Sequence, residues 1–362
     1  MFDNIYSGRR VLITGHTGFK GSWLALWLRE LGAEVCGVGL PPDGEHNHWL
    51  LLQLPLRSEV ADICDLAALR RIWMDFQPEM VFHLAAQPLV RLSYREPVAT
   101  FQTNVIGTVN VLEACRQTPS VRAIVAISSD KCYENREWVW GYRENDPMGG
   151  YDPYSASKGC SELAVAAYRR SFFLPAAYGG DHRVLLASGR AGNVIGGGDW
   201  APDRLVPDLM KAAAAGSEAV IRAPGATRPW QHVLEPLSGY LALGQQLLRG
   251  ERGFAGGWNF GPAADGVVTV GDAVAGLARH WDAIRPRFRP STDGPHEAGL
   301  LRLDCAKARY ELHWHGVWTA EETFARTAQW YKHFYRDHQL DTAADLAAYI
   351  AAARKQELAW TR

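Results

Sequence analysis

The chain has 362 residues, and at about 150 residues per domain that is one large domain or two modest ones. Hydrophobic residues make up 47% and charged residues 21%, the balance of a globular chain and far from that of a disordered one. Lys plus Arg number 38 against 39 Asp plus Glu, so no global field would hold the chain on nucleic acid or an anionic membrane, although a local anion site stays open.

No apolar run reaches the ~18 residues of a spanning helix, and no leader-like segment precedes the first strand-like run, so the expected location is the cytoplasm with no membrane partner. The six cysteines are scattered without a CxxC pair and read as reduced thiols, neither bridges nor metal ligands. No HxH or HExxH spacing accompanies His16, His83 or His232, so no metal is expected. Trp200, Trp230 and Trp258 stand beside Gly, Pro or Arg, a setting that suggests rings lining a cleft.

In chain order, RVLIT at 10–14 is a β-rich run, and SWLALWLREL at 22–31 carries apolar groups at helical spacing up to Gly32. EVCGVGL (34–40) is a second strand. ADICD (61–65) is a short segment before a helical LAALRRIWMDF, and MVFHLAA (80–86) is another strand. NVIGTVNVLEACR (104–116) reads as helix, VRAIVAISS (121–129) as strand, SASKGCSELAVAAYRRSF (155–172) as a long helix and HRVLLASG as the strand after it. Apolar strands separated by helices predict an α/β fold, a doubly wound parallel sheet of Rossmann type. Beyond about residue 190 Gly, Pro, Trp and Arg dominate and a helix over 235–249 intervenes. The expected division is a dinucleotide-binding domain over 1–188 with a returning segment at 233–257, and a smaller discontinuous α+β substrate domain over 189–232 and 258–362. The stretch DTAADLAAYIAAARKQEL predicts a final helix lying on the surface or on a partner.

Gly15, Gly18 and Gly21 stand in TGHTGFKG between the first strand and first helix. There glycine lets backbone approach a pyrophosphate, and a helix N-terminus supplies free N–H groups. The second strand ends GVGLPPD, with no Arg or Lys for a 2′-phosphate and Asp43 as a nearby acid, which favours NAD over NADP. Asp62 follows as a contact for the adenine amino group or as an acid at a helix start. Tyr154 and Lys158 form YxxxK in YDPYSASKG. On a helix they share one face, and a lysine ammonium beside a phenol favours the phenolate, lowering its pKa from about 10 and making a base for a sugar hydroxyl.

These pieces, with HLAAQPLVRLSY, TNVIGT, SSDKCYEN, RAGNVIGGGDW and RPWQHVLEPLSGYL, make the chain resemble the extended short-chain dehydrogenase/reductase superfamily over residues 8–335. Within it the resemblance is to the nucleotide-sugar 4,6-dehydratases, and most closely to their CDP-glucose branch. It implies a Ser129, Tyr154 and Lys158 redox trio, with Asp130 as the acid that protonates a departing 6-hydroxyl. Lys131 stands where the wider family has the Glu that takes the C5 proton, and a lysine serves as base only when neutral. The resemblance also places Thr17, Phe19, Ile63, Leu84, Ala85 and Ala86 with the Gly15–Gly21 loop around NAD, His16 as structural or beside the cofactor, and Asn104 beside the cofactor or in the active-site hydrogen-bond network. It puts Gln87, Asn193, Arg204 and Arg228 on the nucleotide-sugar side. Arg222 joins them by spacing, and each Arg has the alternative of a surface pair with an Asp. The implied substrate is CDP-glucose, the implied assembly a homodimer or dimer of dimers, and the implied destination of the product the deoxyhexoses of bacterial O-antigen lipopolysaccharide. A 4-epimerase would share the loop and YxxxK without needing Asp130; a GDP-mannose 4,6-dehydratase would carry Thr-Asp-Glu and a 2′-phosphate site; a non-catalytic dinucleotide-binding regulator would need none of Tyr154, Lys158 and Asp130.

Overall fold

A computed structural model describes residues 1–262, 266–289 and 299–362. The strands in chain order are β1 (Arg10–Thr14), β2 (Glu34–Gly39), β3 (Arg57–Val60), β4 (Met80–His83), β5 (Ala123–Ile127) and β6 (Leu185–Ala191). Then come β7 (Val194–Ile195), β8 (Glu218–Ile221), β9 (Thr227–Pro229), β10 (Gln231–His232), β11 (Gly257–Phe260), β12 (Val267–Thr269) and β13 (Arg285–Phe288). Seven of them form one parallel sheet in the order β3-β2-β1-β4-β5-β6-β11. The order reverses between β1 and β4, and a doubly wound sheet opens its binding crevice at that switch point.

The strands read as unbroken apolar runs because both faces are covered. Val11, Ile13, Met80, Phe82, Ala123, Val125, Leu185 and Ala187 face one core with Trp23, Trp27 and the helix Leu234–Leu248. Their neighbours Leu12, Val81, Ile124, Ala126 and Leu186 face the other, with Leu69, Trp73 and Leu112. The edge strand β3 is mostly exposed, so it carries no apolar run and the sequence pattern did not mark it. Beyond β6, the pairs β7–β10, β9–β12 and β8–β13 and the helices Leu205–Ala214, Val270–Ala278 and Ala320–Asp337 enclose a third core around Met210, Trp281 and Trp330.

Two expectations change here. Trp258 is fully buried in the first core under the Lys307 ammonium, 4.0 Å from the ring centroid, because β11 belongs to the main sheet; only Trp200 and Trp230 reach the cleft. The final helix, Thr342–Lys355, docks on the chain's own core through Leu346, Tyr349 and Ala353. Trp360 beyond it stacks on Phe2 at 5.3 Å.

Glu235 pins that docking. Its carboxylate accepts from Val317 N at 2.9 Å, Trp318 N at 2.8 Å and the Tyr349 hydroxyl at 2.8 Å. Burial pushes its pKa up to about 7, so between about pH 4.3 and that value the folded chain holds a proton that the unfolded chain has lost. Stability therefore falls as pH rises through that window and levels above it, by on the order of 3 kcal/mol for this group. Asp345, also pushed up by burial to about 7, adds a slope of the same sign. Glu235→Gln, which cannot accept from all three donors, is expected to be less stable at the acid end yet to lose part of the slope. Denaturant titrations across the window read both, and an unchanged slope would count against the assignment.

Candidate active site

The C-terminal ends of the strands β1–β6 open onto a cleft of about 1560 Å³. The glycine loop after β1 forms its floor. Gly15 has φ +78°, and a Cβ there would sit 2.7 Å from the Ala85 backbone nitrogen, so the turn lies hard against the end of β4. A Cβ on Gly21 would lie 2.0 Å from the Gly15 carbonyl oxygen, which draws the helix Phe19–Glu30 onto the same turn. Gly18 caps that helix without a side chain, leaving first-turn N–H groups open to an anion. Thr17, Gly18, Phe19, Asp62, Ile63, Leu84, Ala85 and Ala86 all line the cleft, as do Leu40, Pro41, Pro42 and Asp43 after β2. Asp62 also accepts from Cys64 N at 2.8 Å.

Of the two alternatives open for His16 and Asn104, the contacts match the structural role for His16 and the hydrogen-bond network for Asn104. His16 is buried and turned away from the cleft, its ring against Gly37 and its Nε2 2.7 Å from Ser58 Oγ. Asn104 is buried as a brace: Oδ1 accepts from Gln87 N at 2.8 Å, and Nδ2 donates to Gln87 O at 3.1 Å and Ser157 Oγ at 2.8 Å. Gln87 spends its own amide on Thr100 Oγ1 and the backbone of Leu89, so it shapes the loop after β4 instead of lining the cleft.

Ser129, Asp130 and Lys131 leave β5 at the cleft wall, facing Tyr154 and Lys158 on the helix Pro153–Ser171. Asp152 caps that helix by accepting from Ser155 N at 2.9 Å, and Pro153 occupies its first position, so Tyr154 enters at a fixed angle. Ser129 Oγ donates to Asp130 Oδ1 at 2.9 Å and accepts from Lys131 N at 3.3 Å. The other carboxylate oxygen, Oδ2, is buried with no hydrogen-bond partner.

Burial dominates the electrostatics. It pushes the Asp130 carboxyl up against the opposing pull of Ser129, Lys131, Lys20 and Arg228. It brings Lys158 down to about 8, with Cys132 and Glu162 acting the other way. Tyr154 is pushed up to about 12, and its hydrogen bond with Ser129 and the nearby Arg204 only partly offset that. This corrects the expectation of a lowered tyrosine pKa: desolvating a phenolate costs more here than the surrounding cations return.

Asn193, Arg204, Arg222 and Arg228 line the far side of the cleft with Trp200 and Trp230. Arg204 is held by Asp199, Nη1 to Oδ2 at 2.9 Å, and Arg228 Nη1 donates to Thr227 O at 2.9 Å. Three residues escaped the sequence reading. Lys20, on the first turn after the glycine loop, lines the cleft and is lowered to about 8, chiefly by burial; a lysine inside TGHTGFKG was the available signal. Asp199 stood in the quoted GGGDW. Glu162, two turns after Tyr154, accepts from Ser128 Oγ, from Ser188 Oγ at 2.8 Å and from Arg190 Nη2 at 2.8 Å, and no local pattern marks it.

The sequence profile of the GDP-mannose 4,6 dehydratase family matches residues 12–327. A CDP-glucose 4,6-dehydratase of Salmonella typhimurium is 49% identical over 97% of this chain and 99% of its own. In fold, the chain is similar to a UDP-glucose 4-epimerase of Thermus thermophilus solved with NAD, at a TM-score of 0.76 and 24% identity over 89% of this chain and 99% of that one. It is similar also to a dTDP-glucose 4,6-dehydratase of Streptomyces venezuelae solved with NAD, at 0.73 and 24% over 89% and 97%. A glycine cradle at the sheet's switch point, a buried Tyr and Lys one turn apart, an acid beside them and likeness along nearly the whole chain converge: this chain belongs to the GDP-mannose 4,6 dehydratase family of nucleotide-sugar enzymes.

Proposed function

We propose that the chain is an NAD-dependent CDP-D-glucose 4,6-dehydratase, a hydro-lyase that forms CDP-4-keto-6-deoxy-D-glucose and water. The observation that carries this reading is Asp130, a buried carboxyl with one free oxygen, set against the Ser129, Tyr154 and Lys158 cluster. An epimerase moves hydride at C4 alone and has no use for such an acid. The 49% identity to a CDP-glucose 4,6-dehydratase supports the same choice, and the exposed Leu40–Asp43 rim without a basic side chain suits a free ribose 2′-hydroxyl.

The residues present fit the cofactor. Gly15 and Gly21 leave no room for side chains, the uncapped helix start faces the cleft, and Asp62, Ile63 and the Leu84–Ala86 segment would flank the adenosine half. NAD held there would supply the hydride chemistry, oxidation at C4 and reduction at C6. Tyr154 takes the O4 proton, and Lys158, one turn on, would reach the nicotinamide ribose, while a cationic nicotinamide would offset part of the burial that pushes Tyr154 up to about 12. The new ketone acidifies C5, Lys131 takes that proton, and Asp130 protonates the 6-hydroxyl as water leaves. Arg204, Arg222, Arg228 and Asn193 hold the nucleotide diphosphate. In this reading 1–188 with 233–257 forms the NAD domain, joined by the end of β11 and the final helix that pack on the same core, and 189–232 with the segments enclosing the third core holds the sugar nucleotide. Substrate and cofactor are cytoplasmic metabolites, so the enzyme works there, at the head of a route to the deoxyhexoses of surface polysaccharide. Val98 and Leu163, 78% and 59% exposed on helices that pack together beside Tyr154, offer a face for a second copy of the chain.

Incubation with NAD and, separately, CDP-glucose, dTDP-glucose, GDP-mannose and UDP-glucose tests the assignment by mass spectrometry. Loss of one water from CDP-glucose alone is expected. Loss from another sugar nucleotide instead would overturn the nucleotide, and epimerisation without mass change would overturn the reaction. Tyr154→Phe is expected to lower turnover at least about 100-fold while NAD affinity, read by fluorescence quenching, stays within a few-fold; near-normal turnover would remove Tyr154 from its role. Lys131→Met is expected to slow exchange of the C5 proton with solvent deuterium by about 100-fold or more, and unchanged exchange would point to another base.

A further inference from the structure

The segment that leaves β2 borders the cleft for its whole length. Every residue from Gly39 to His48 lines it, while Leu40, Pro41, Asp43, Gly44 and Glu45 are exposed, so the segment runs as a strap with the cleft on one side and solvent on the other. Both ends of the strap are tied to the glycine loop. Thr17 Oγ1 donates to Leu40 O at 3.1 Å, and Asn47 Nδ2 donates to Thr17 O at 3.2 Å. Asn47 Oδ1 in turn accepts from Trp49 N at 3.0 Å and caps the short helix His48–Leu52, whose first residue places Nδ1 2.8 Å from Ser22 Oγ on the helix after the loop.

His46 joins the strap to the opposite wall. Its half-buried ring lies 5.2 Å from Phe334, 5.4 Å from Trp200 and 5.9 Å from Tyr335. The planes meet Phe334 at 83° and Tyr335 at 70°, the edge-to-face arrangement in which aromatic rings attract. This cage is itself fixed. Trp200 Nε1 is hydrogen-bonded to the Tyr335 hydroxyl at 2.9 Å, and its ring meets Trp330 at 5.7 Å. The residue before it, Asp199, accepts from Arg204 Nη1 at 2.9 Å and from Ala201 N at 3.0 Å, and its backbone nitrogen donates to the Tyr331 hydroxyl at 2.9 Å. A short line of contacts therefore runs from the strap through His46 and Trp200 to Asp199 and Arg204.

We propose that His46 is the latch of this strap, holding it to the sugar-nucleotide wall so that a nucleotide diphosphate seated at Arg204 slows the departure of NAD. This rests on the NAD-dependent sugar-nucleotide reading above and concerns how long the cofactor stays. The reaction makes residence matter: the cofactor reduced at C4 has to be the molecule oxidised again at C6, and one that left in between would strand the keto sugar. A dinucleotide in the glycine cradle with its adenosine ribose beside Leu40–Asp43 leaves only when the strap bows outward. Gly44, at φ +82°, turns the strap in open space, the nearest heavy atom to an added Cβ being His46 O at 3.8 Å, so the tie that resists bowing is the caged ring. A ligand that orders Arg204 and Asp199 also orders Trp200, and with it the cage. His46 is thus a positioning residue, acting through the strap, and the coupling is reciprocal: the nucleotide binds more tightly when the cofactor is in place.

The test reads release of the cofactor directly. Enzyme loaded with NADH is mixed in a stopped-flow instrument with excess NAD, and the loss of bound-nicotinamide fluorescence is followed with and without CDP, whose own binding is measured by calorimetry. In the wild-type chain CDP is expected to slow release about ten-fold. His46→Ala removes the ring, so release without CDP should quicken by about ten-fold and the effect of CDP should shrink below about two-fold. His46→Phe, which returns a ring to the cage, should restore both. His46→Gln, polar and without a ring, makes the same comparison if the alanine variant fails to fold, and thermal melting of each variant separates a lost latch from a lost fold. CDP slowing release as strongly in His46→Ala or His46→Gln as in the wild-type chain, or binding the wild-type chain without slowing release, overturns the latch while leaving the dehydratase assignment intact. If neither CDP nor CDP-glucose binds the loaded wild-type chain, the sugar-nucleotide reading falls and the latch with it.

Discussion

The buried carboxylate of Glu162 is where three elements of the site are tied together. It sits on the helix of Tyr154 and Lys158, and it accepts from Ser128 at the end of β5 and from Ser188 and Arg190 on β6. Arg190 carries the tie onward, its Nη1 donating to the Tyr133 hydroxyl at 2.6 Å and to the Glu144 carbonyl at 3.0 Å. Both partners of the ion pair are almost fully buried, and removing one partner of such a pair typically costs about 3–5 kcal/mol because the other charge is stranded. The geometry of Ser129, Asp130 and Tyr154 rests on this clamp: it fixes how far the strand end stands from the helix, within the few tenths of an ångström that proton transfer requires.

Burial is the second constraint, and it acts on Asp130, Tyr154, Lys20 and Lys158 in the same sense. It raises the acids Asp130 and Tyr154 and lowers the amines Lys20 and Lys158. The neutral forms of these four are favoured, so they are suited to hold protons in place and pass them among neighbours. A positively charged nicotinamide in the cleft would shift this balance toward phenolate and carboxylate. Proton chemistry is thereby coupled to cofactor occupancy.

Much of this was legible along the chain. The glycine loop, the helix after it and the buried strands are local, set by backbone freedom and by the periodicity of apolar residues, and they lie where the pattern put them. So do Tyr154 and Lys158, since a four-residue spacing on a helix fixes a shared face. Side-chain direction was less accessible. His16 and Asn104 occupy motif positions beside the cleft yet turn into the protein, one toward Ser58 and the other toward Gln87 and Ser157. Trp258, read as a cleft ring from its Gly neighbours, belongs to a strand of the main sheet.

Local pattern alone pointed to a doubly wound dinucleotide fold and to a tyrosine and lysine sharing one helix face, because each follows from residues a few positions apart, whereas the acid Asp130 was read from the resemblance. Tertiary structure alone decided that Glu162 meets Ser128, Ser188 and Arg190, that Lys20 and Asp199 enter the site, and that the last helix closes on Glu235. These contacts join residues from 26 to 114 positions apart in the clearest cases, Glu162 with Ser188 and Glu235 with Tyr349. Their partners and their desolvation exist only once the layers pack. The sign of the Tyr154 shift followed the same rule: the neighbouring lysine is written in the sequence, whereas the burial that outweighs it is a property of the folded chain.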